Sequence, residues 1–309
     1  MKHIEINIGK ACNHKCIFCM SGITRNKVLG FESLTTIKNE INKVSLLGYN
    51  SIGFLGGEPT IHPNFLDIVL YAKSKNFINI EVISNGTKFD EYDFLEKSIK
   101  NGLTRFSISV HSIYEKEESI LVGGIDGIVK QKIKSIQNLL EFYNKGILKK
   151  EISVNIVISK VNYKSIKKTI LFLCKLGIKS FRLNFIQLEG YSTENYEKLA
   201  FKYEDFRIEL LNILSLSKKY LDLRINFEAI PWCFSGLNYI DYLKFSEQKI
   251  DREKDKISRD DVNLISRDII NQLDRRKELK VYIRKCDKCF LKGECEGIWK
   301  RYVDYFKIK

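Results

Sequence analysis

Short runs rich in β-branched and aromatic residues alternate with amphipathic segments through the first two-thirds of the chain, and this alternation narrows the fold more than any single residue does. HIEINI at 3–8, SIGFL at 51–55, NIEVI at 79–83, RFSISV at 105–110, ISVNIVI at 152–158 and SFRLNFI at 180–186 read as strands. Between them, segments at about 33–47, 63–76, 90–101, 128–145 and 163–176 repeat apolar residues at helical spacing, several ending at Gly48, Gly102, Gly146 and Gly177. Strands separated by helices pair in parallel through right-handed crossovers, so the chain is an α/β fold, a barrel or an open parallel sheet. About six such units are visible, too few for a closed eightfold barrel, which predicts a partial (β/α)6 TIM-like barrel.

Beyond residue 200 the pattern changes. A helix over roughly 203–221 and a strand-like RINFEAI at 224–230 precede a charged, partly helical stretch from 244 to 285 and a cysteine-rich end. The expected division is a barrel over 1–200 and a smaller C-terminal region over 201–309.

Apolar residues make up 44% and charged residues 29%, a composition that supports a folded interior. The first residues hold no apolar run of signal-peptide length, and no stretch of 18 apolar residues occurs, so a cytoplasmic chain without a membrane partner is expected. In a reducing compartment eight cysteines are free for metals rather than for disulfides. Cys12, Cys16 and Cys19 form one group and Cys286, Cys289 and Cys295 another, with Cys174 and Cys233 apart, which suggests two metal sites. The net charge of +14 suits nucleic acid, an acidic peptide or an anionic small molecule, and part of it is an excess of lysine in the composition.

Cys12, Cys16 and Cys19 follow the first strand, on the edge of a parallel β/α fold where active-site loops gather. With His14 inside the loop, a zinc site is one reading of the residues. The other is a [4Fe–4S] cluster held by three thiolates, leaving one iron free for a ligand. The spacing Cys-x3-Cys-x2-Cys, with Phe18 before the third cysteine, resembles the signature of the radical S-adenosylmethionine (SAM) superfamily. Gly56-Gly57-Glu58-Pro59 after the second strand is similar to that superfamily's GGE motif, and Ser84-Asn85-Gly86 after the third to its SNG segment. Together these cover roughly residues 3–190.

The residues suit the roles that the resemblance implies. Gly56 and Gly57 remove side chains where backbone must approach a ligand, and Glu58 offers a carboxylate to the ammonium of SAM. Ser107 and Ser109 share a face of the fourth strand, with His111 next along it, while Asn155, Arg182 and Asn184 are polar residues in otherwise apolar strands. Ser109, Asn155 and Arg182 are carried over as SAM contacts, alongside Gly56, Gly57, Glu58, Ser84 and Asn85.

Cys286-x2-Cys289-x5-Cys295, followed by Gly297-Ile298-Trp299 and Tyr302, resembles the C-terminal extensions called SPASM and twitch, which bind auxiliary [4Fe–4S] clusters. Trp299 stands where the full SPASM pattern has another cysteine, leaving Cys233 as the best fourth ligand of a single auxiliary cluster. A four-cysteine zinc knuckle is the alternative for this spacing. Cys174, on the apolar face of a helix, reads as a small core residue.

The resemblance implies reductive cleavage of SAM to a 5′-deoxyadenosyl radical that abstracts hydrogen from substrate, with electrons from a flavodoxin- or ferredoxin-type partner. FSISVHS, the Gly123-Gly124 region and the C-terminal cysteine pattern resemble maturases of ribosomally made peptides, including the His-Xaa-Ser type, so a peptide substrate is expected. Alternatives are a nucleotide, as for the molybdenum-cofactor cyclase, with Arg275, Arg276 and Arg284 as anion binders, or tRNA, which lacks a recognisable binding module here. A two-cluster electron carrier or sensor is the non-catalytic alternative, and it would have no use for Glu58 with its glycines.

Overall fold

The computed structural model describes residues 2–20, 30–187, 190–220, 222–245, 279–293, 295 and 297–308. Seven strands form one sheet in the order of the chain: β1 (His3–Asn7), β2 (Ser51–Leu55), β3 (Asn79–Ser84), β4 (Arg105–Ser109), β5 (Ser153–Ile158), β6 (Ser180–Phe185) and β7 (Arg224–Glu228). Every neighbouring pair is parallel, and the sheet curls into a half-barrel. Helices α1 (Leu34–Leu46), α2 (Phe65–Ser74), α3 (Tyr92–Asn101), α4 (Glu115–Val122), α5 (Ile128–Asn144) and α6 (Ile166–Leu176) lie in the crossovers. They are followed by α7 (Tyr196–Leu199), α8 (Tyr203–Lys219), α9 (Trp232–Ser235) and α10 (Tyr239–Phe245).

The period of two along each strand divides the sheet into two chemically different faces. Ile4, Ile6, Phe54, Val82, Ile108, Ile156, Leu183 and Phe227 are buried in one core with the apolar stripes of the helices on the convex side. Each such side chain stabilises the fold by about 1.5–3 kcal/mol. The alternate residues face the concavity and are mostly polar. In register they include Glu5, Gly53, Glu81 and Arg105, then Ser109, Asn155, Arg182 and Asn226, then Asn184 and Glu228. A side buried by helices needs apolar residues, whereas a side left open to a ligand can keep polar ones.

The six expected strands and five expected crossover helices are present. The difference is at 224–230: RINFE pairs with β6 and is the seventh strand of the same sheet. The sheet therefore runs past residue 200 into the segment expected to belong to the C-terminal region. Helix α4 was not anticipated, since EKEESILV is too short to show a helical period. Most of the charged stretch, including Arg275 and Arg276, lies outside the described residues.

At the C-terminal end β8 (Lys280–Val281) and β9 (Ile298–Trp299) pair antiparallel, and a last described helix spans Lys300–Phe306. That helix is tied to the barrel: Tyr203 N donates to Tyr302 Oη at 2.7 Å and Tyr196 Oη to Arg301 O at 2.9 Å. Among the described residues no helix is long and apolar enough to cross a membrane.

Candidate active site

The loop carrying Cys12, Cys16 and Cys19 leaves β1 at its carboxyl end, and all three thiols are half-buried and free of disulfides. Its backbone is held from several sides. Gly57 N donates to Gly9 O and Glu58 N to Ala11 O, both at 2.8 Å. On another side, Lys15 N and Ile17 N donate to Val122 O and Leu121 O at 3.0 Å, so the end of α4 braces the loop. Tyr191 N reaches Cys19 O at 2.9 Å, and the Phe18 ring meets His111 edge-on at 4.7 Å.

The two glycines serve this docking directly. A Cβ on Gly56 would lie 2.2 Å from Gly9 O, and one on Gly57 2.0 Å from Ala11 O, distances at which no side chain fits. Gly56 also adopts φ +141°, a region that L side chains avoid. The backbone they admit so closely is that of the cysteine loop itself, a role the sequence expectation of ligand approach did not include.

Glu58 is buried, with 2% of its surface exposed. Its Oε1 accepts from Thr60 N (3.0 Å), Thr60 Oγ1 (2.6 Å) and Ser84 Oγ (2.7 Å), and its Oε2 from Asn85 N (2.6 Å). Desolvation raises its pKa, against which these hydrogen bonds pull it down. A carboxylate has about four acceptor sites, so little beyond one position on Oε2 is left for a ligand. Ser84 and Asn85, both expected site residues, thus converge on Glu58, and Asn85 also joins the cysteine loop by donating from Nδ2 to Asn13 Oδ1 at 2.7 Å. Asn13 donates in turn to Thr87 Oγ1 at 3.2 Å. One polar network therefore links the loops after β1, β2 and β3.

Ser109, Asn155 and Arg182 come together as a row across β4, β5 and β6. Asn155 Oδ1 and Asn184 Oδ1 are buried with no hydrogen-bond partner among the described residues. Orphaned acceptors on the concave face are what a ligand with N–H or O–H donors would satisfy. Just past β4, Glu118 Oε2 accepts from His111 N (2.8 Å) and Ser112 N (2.7 Å), while Lys132 Nζ donates to Glu118 Oε1 (2.6 Å) and Ser109 O (2.7 Å). Both charged side chains are essentially inaccessible, at 1% for Lys132 and 0% for Glu118. His111 Nδ1 accepts from Val157 N at 3.1 Å, and burial lowers its pKa to about 4, so the ring is neutral at pH 7. Asn13, Thr60, Glu118 and Lys132 were not singled out in the sequence, where nothing distinguishes a lysine on a helix that faces inward.

The C-terminal cysteines occupy a second neighbourhood. Cys286 lies in a 3-10 turn at Arg284–Lys288 that Cys289 caps, with Cys289 N donating to Cys286 O at 3.1 Å, and Gly297 N donates to Cys295 Sγ at 3.4 Å. Cys233, on α9, lies within the electrostatic reach of Cys286, Cys295 and Cys289, and burial pushes its thiol up to about 11. Cys174 belongs to neither group: it packs against the core from α6, where burial also raises it to about 11.

Among the described residues no three Cys, His, Asp or Glu side chains are close enough to hold a single metal ion. A four-iron cube places each thiolate on a different iron and so accepts wider spacing than one ion with sulfur bonds of about 2.3 Å. The donor chemistry of each group fits such a cube. Three thiols at the mouth of the barrel would leave one iron of such a cube without a protein ligand, and four thiols in the C-terminal neighbourhood would leave none.

A family profile described as the Radical SAM superfamily matches residues 6–199. The "Tungsten-containing aldehyde ferredoxin oxidoreductase cofactor-modifying protein" of Pyrococcus furiosus is 26% identical over 181 residues, 58% of this chain and 49% of that protein. A "GTP 3′,8-cyclase" of Clostridium botulinum is 30% identical over 52% of this chain and 48% of its own length. This chain thus spans about half the length of these two curated relatives. It covers 68% of a "Probable GTP 3′,8-cyclase" of Saccharolobus solfataricus, which is 27% identical over 71% of this chain. Among solved structures, Streptococcus suis SuiB superposes with a TM-score of 0.57 at 18% identity, over 73% of this chain and 48% of that one. SuiB has also been solved bound to the precursor peptide SuiA. anSMEcpe with bound AdoMet and Cp18Cys peptide gives a TM-score of 0.55 at 16% identity, over 72% of this chain and 61% of that one. At these identities the two structures share the fold.

Proposed function

The chain belongs to the radical SAM superfamily, and from that premise we propose that it is a maturase acting on a ribosomally made peptide, with one auxiliary cluster. When bound, the N-terminal cluster and SAM supply reductive cleavage to a 5′-deoxyadenosyl radical, which removes hydrogen from an unactivated carbon. Cys12, Cys16 and Cys19 hold that cluster. Gly56, Gly57, Glu58, Ser84 and Asn85 form the adjoining wall for the methionine end of SAM, Glu58 Oε2 facing the ammonium. Ser109, Asn155 and Arg182 take its ribose and carboxylate. Cys233, Cys286, Cys289 and Cys295 hold the auxiliary cluster, and a small electron carrier of the flavodoxin or ferredoxin type supplies the electrons.

The observation that carries the peptide reading is the charge of the concave face. Its strand residues include three arginines, Arg105, Arg182 and Arg224, and three glutamates, Glu5, Glu81 and Glu228, so they balance. Two of the arginines are engaged by acids, Arg105 by Glu81 at 3.6 Å and Arg224 by Glu151. A triphosphate calls for surplus cations, whereas a peptide backbone brings N–H donors that match the orphaned oxygen of Asn184. Structural neighbours solved with peptides bound agree with this reading. The second reading, GTP, rests on the cyclase relatives.

The test presents reduced, reconstituted enzyme and SAM with GTP or with short peptides encoded beside its gene. The peptide reading expects faster 5′-deoxyadenosine formation and a mass change on one peptide, with GTP untouched. Consumption of GTP with no peptide modified would replace it with the nucleotide reading.

A further inference from the structure

Glu118 on α4 and Lys132 on α5 are fully buried, and both are committed to directed contacts. Lys132 Nζ donates to Glu118 Oε1 at 2.6 Å and to Ser109 O at 2.7 Å. Glu118 Oε2 accepts from His111 N at 2.8 Å and from Ser112 N at 2.7 Å. The pair therefore grips the chain at the carboxyl end of β4. A buried ion pair is weak support for a fold, because apolar side chains of similar volume often serve as well. What apolar packing does not supply is direction, and these hydrogen bonds fix α4 in one place against the end of β4.

From Glu118 two routes lead to the cysteine loop. One turn along α4, Leu121 O and Val122 O accept from Ile17 N and Lys15 N at 3.0 Å, one on each side of Cys16. Gly123, which ends the helix at φ +100°, lets Lys15 lie so close that a Cβ there would be 2.6 Å from Lys15 O. The other route runs through His111. Glu118 holds its backbone N–H, Val157 N donates to its ring at 3.1 Å, and that ring meets Phe18, the residue before Cys19, edge-on at 4.7 Å.

We propose that Glu118 and Lys132 are positioning residues for SAM cleavage, which hold the Cys16–Cys19 segment in fixed register with the end of β4. The inference rests on the reading of Cys12, Cys16 and Cys19 as cluster ligands. Both side chains are closed off by burial and act through α4 and β4. Cleavage needs the cluster and the bound sulfonium in reacting geometry, and a misplacement of about 1 Å can cost about 100-fold in rate.

The test uses reconstituted holoenzyme and two variants that loosen the brace from opposite ends. Glu118→Gln combined with Lys132→Met removes the ion pair without leaving a charge unpaired, and Gly123→Ala acts on the exposed turn beyond α4. Hydrogen exchange read by mass spectrometry should find the segment around Cys16 about 10-fold less protected in both, with β1 and β2 as in the wild type. The EPR spectrum of the reduced N-terminal cluster should respond differently to added SAM. Formation of 5′-deoxyadenosine at saturating SAM should fall about 10–100-fold, with iron content unchanged. Gly123→Ala decides the matter should the double variant fail to fold. Wild-type protection around Cys16, or wild-type cleavage in a folded variant, overturns the proposal. So does protection lost evenly over β1 and β2, which marks the pair as a matter of stability alone. A wild-type protein that binds no N-terminal cluster overturns the ligand reading, and this inference with it.

Discussion

Gly57 stands against Ala11 so closely that a Cβ at Gly57 would lie 2.0 Å from the Ala11 carbonyl oxygen. The backbone just ahead of Cys12 is thus seated on a glycine after β2, and the placement of the cysteine loop depends on the absence of one methyl group.

Gly57→Ala is therefore expected to push the loop off its seat. The overlap is with backbone on both sides, which cannot rotate away, so the cost lies at about 3 kcal/mol. Reconstituted Gly57→Ala should lose the N-terminal cluster, seen as a fall in bound iron to about half with C-terminal iron retained. Full iron content with wild-type stability would show that the loop is seated elsewhere.

The buried pair Lys132 and Glu118 should behave as a unit. Lys132→Met leaves the Glu118 carboxylate without its cation in a site with 0% exposure and is expected to cost about 3–5 kcal/mol. Adding Glu118→Gln to Lys132→Met should recover part of that loss, because the uncompensated charge is gone. Denaturant unfolding of both variants checks this, and equal losses in the single and double variants would contradict it.

His111 gives a pH dependence with a definite sign. Its folded pKa of about 4 lies below the ordinary value of 6.5, so between those pH values the unfolded chain binds the proton and the folded chain does not. Stability from this group is full above pH 6.5 and falls with pH, by about 2 kcal/mol on reaching pH 5. His111→Asn keeps an acceptor for Val157 N and removes the titration, so its melting temperature should drop less than the wild type's between pH 6.5 and 5. Parallel drops would place the titrating group elsewhere.

Much of this architecture was legible in the sequence, and the reasons are local. Strands with β-branched runs and helices with clear periodicity announce themselves, as do cysteines at cluster spacing and GGEP after β2. What was not legible depends on contacts distant in sequence. RINFEAI looked like a strand, yet nothing local says that it extends the sheet beside β6. Helix α4 shows no period over its eight residues, and its bracing of Lys15 and Ile17 is a backbone contact that no side chain advertises. Glu58 offered a carboxylate, but the four donors that occupy it come from Thr60, Ser84 and Asn85, and only folding brings the latter two to it.

The two cysteine groups should separate by role. Cys289→Ala removes one of four thiols from the C-terminal site while leaving the loop after β1 intact, so 5′-deoxyadenosine should still form from SAM as product formation collapses. Iron content and spectra of the N-terminal cluster must stay intact in the comparison, since losing a metal site can unfold the region around it. Loss of SAM cleavage would instead put the second cluster on the path by which electrons enter.

The central claim, that Cys12, Cys16 and Cys19 hold the cluster at which SAM is cleaved, is tested most directly by assaying 5′-deoxyadenosine under strong reductant without substrate. Wild-type enzyme reconstituted with about eight irons should form it, and a protein with all three cysteines changed to alanine should keep about four irons and form none. If the wild type, carrying a full N-terminal cluster, yields methylthioadenosine or nothing, the claim is contradicted.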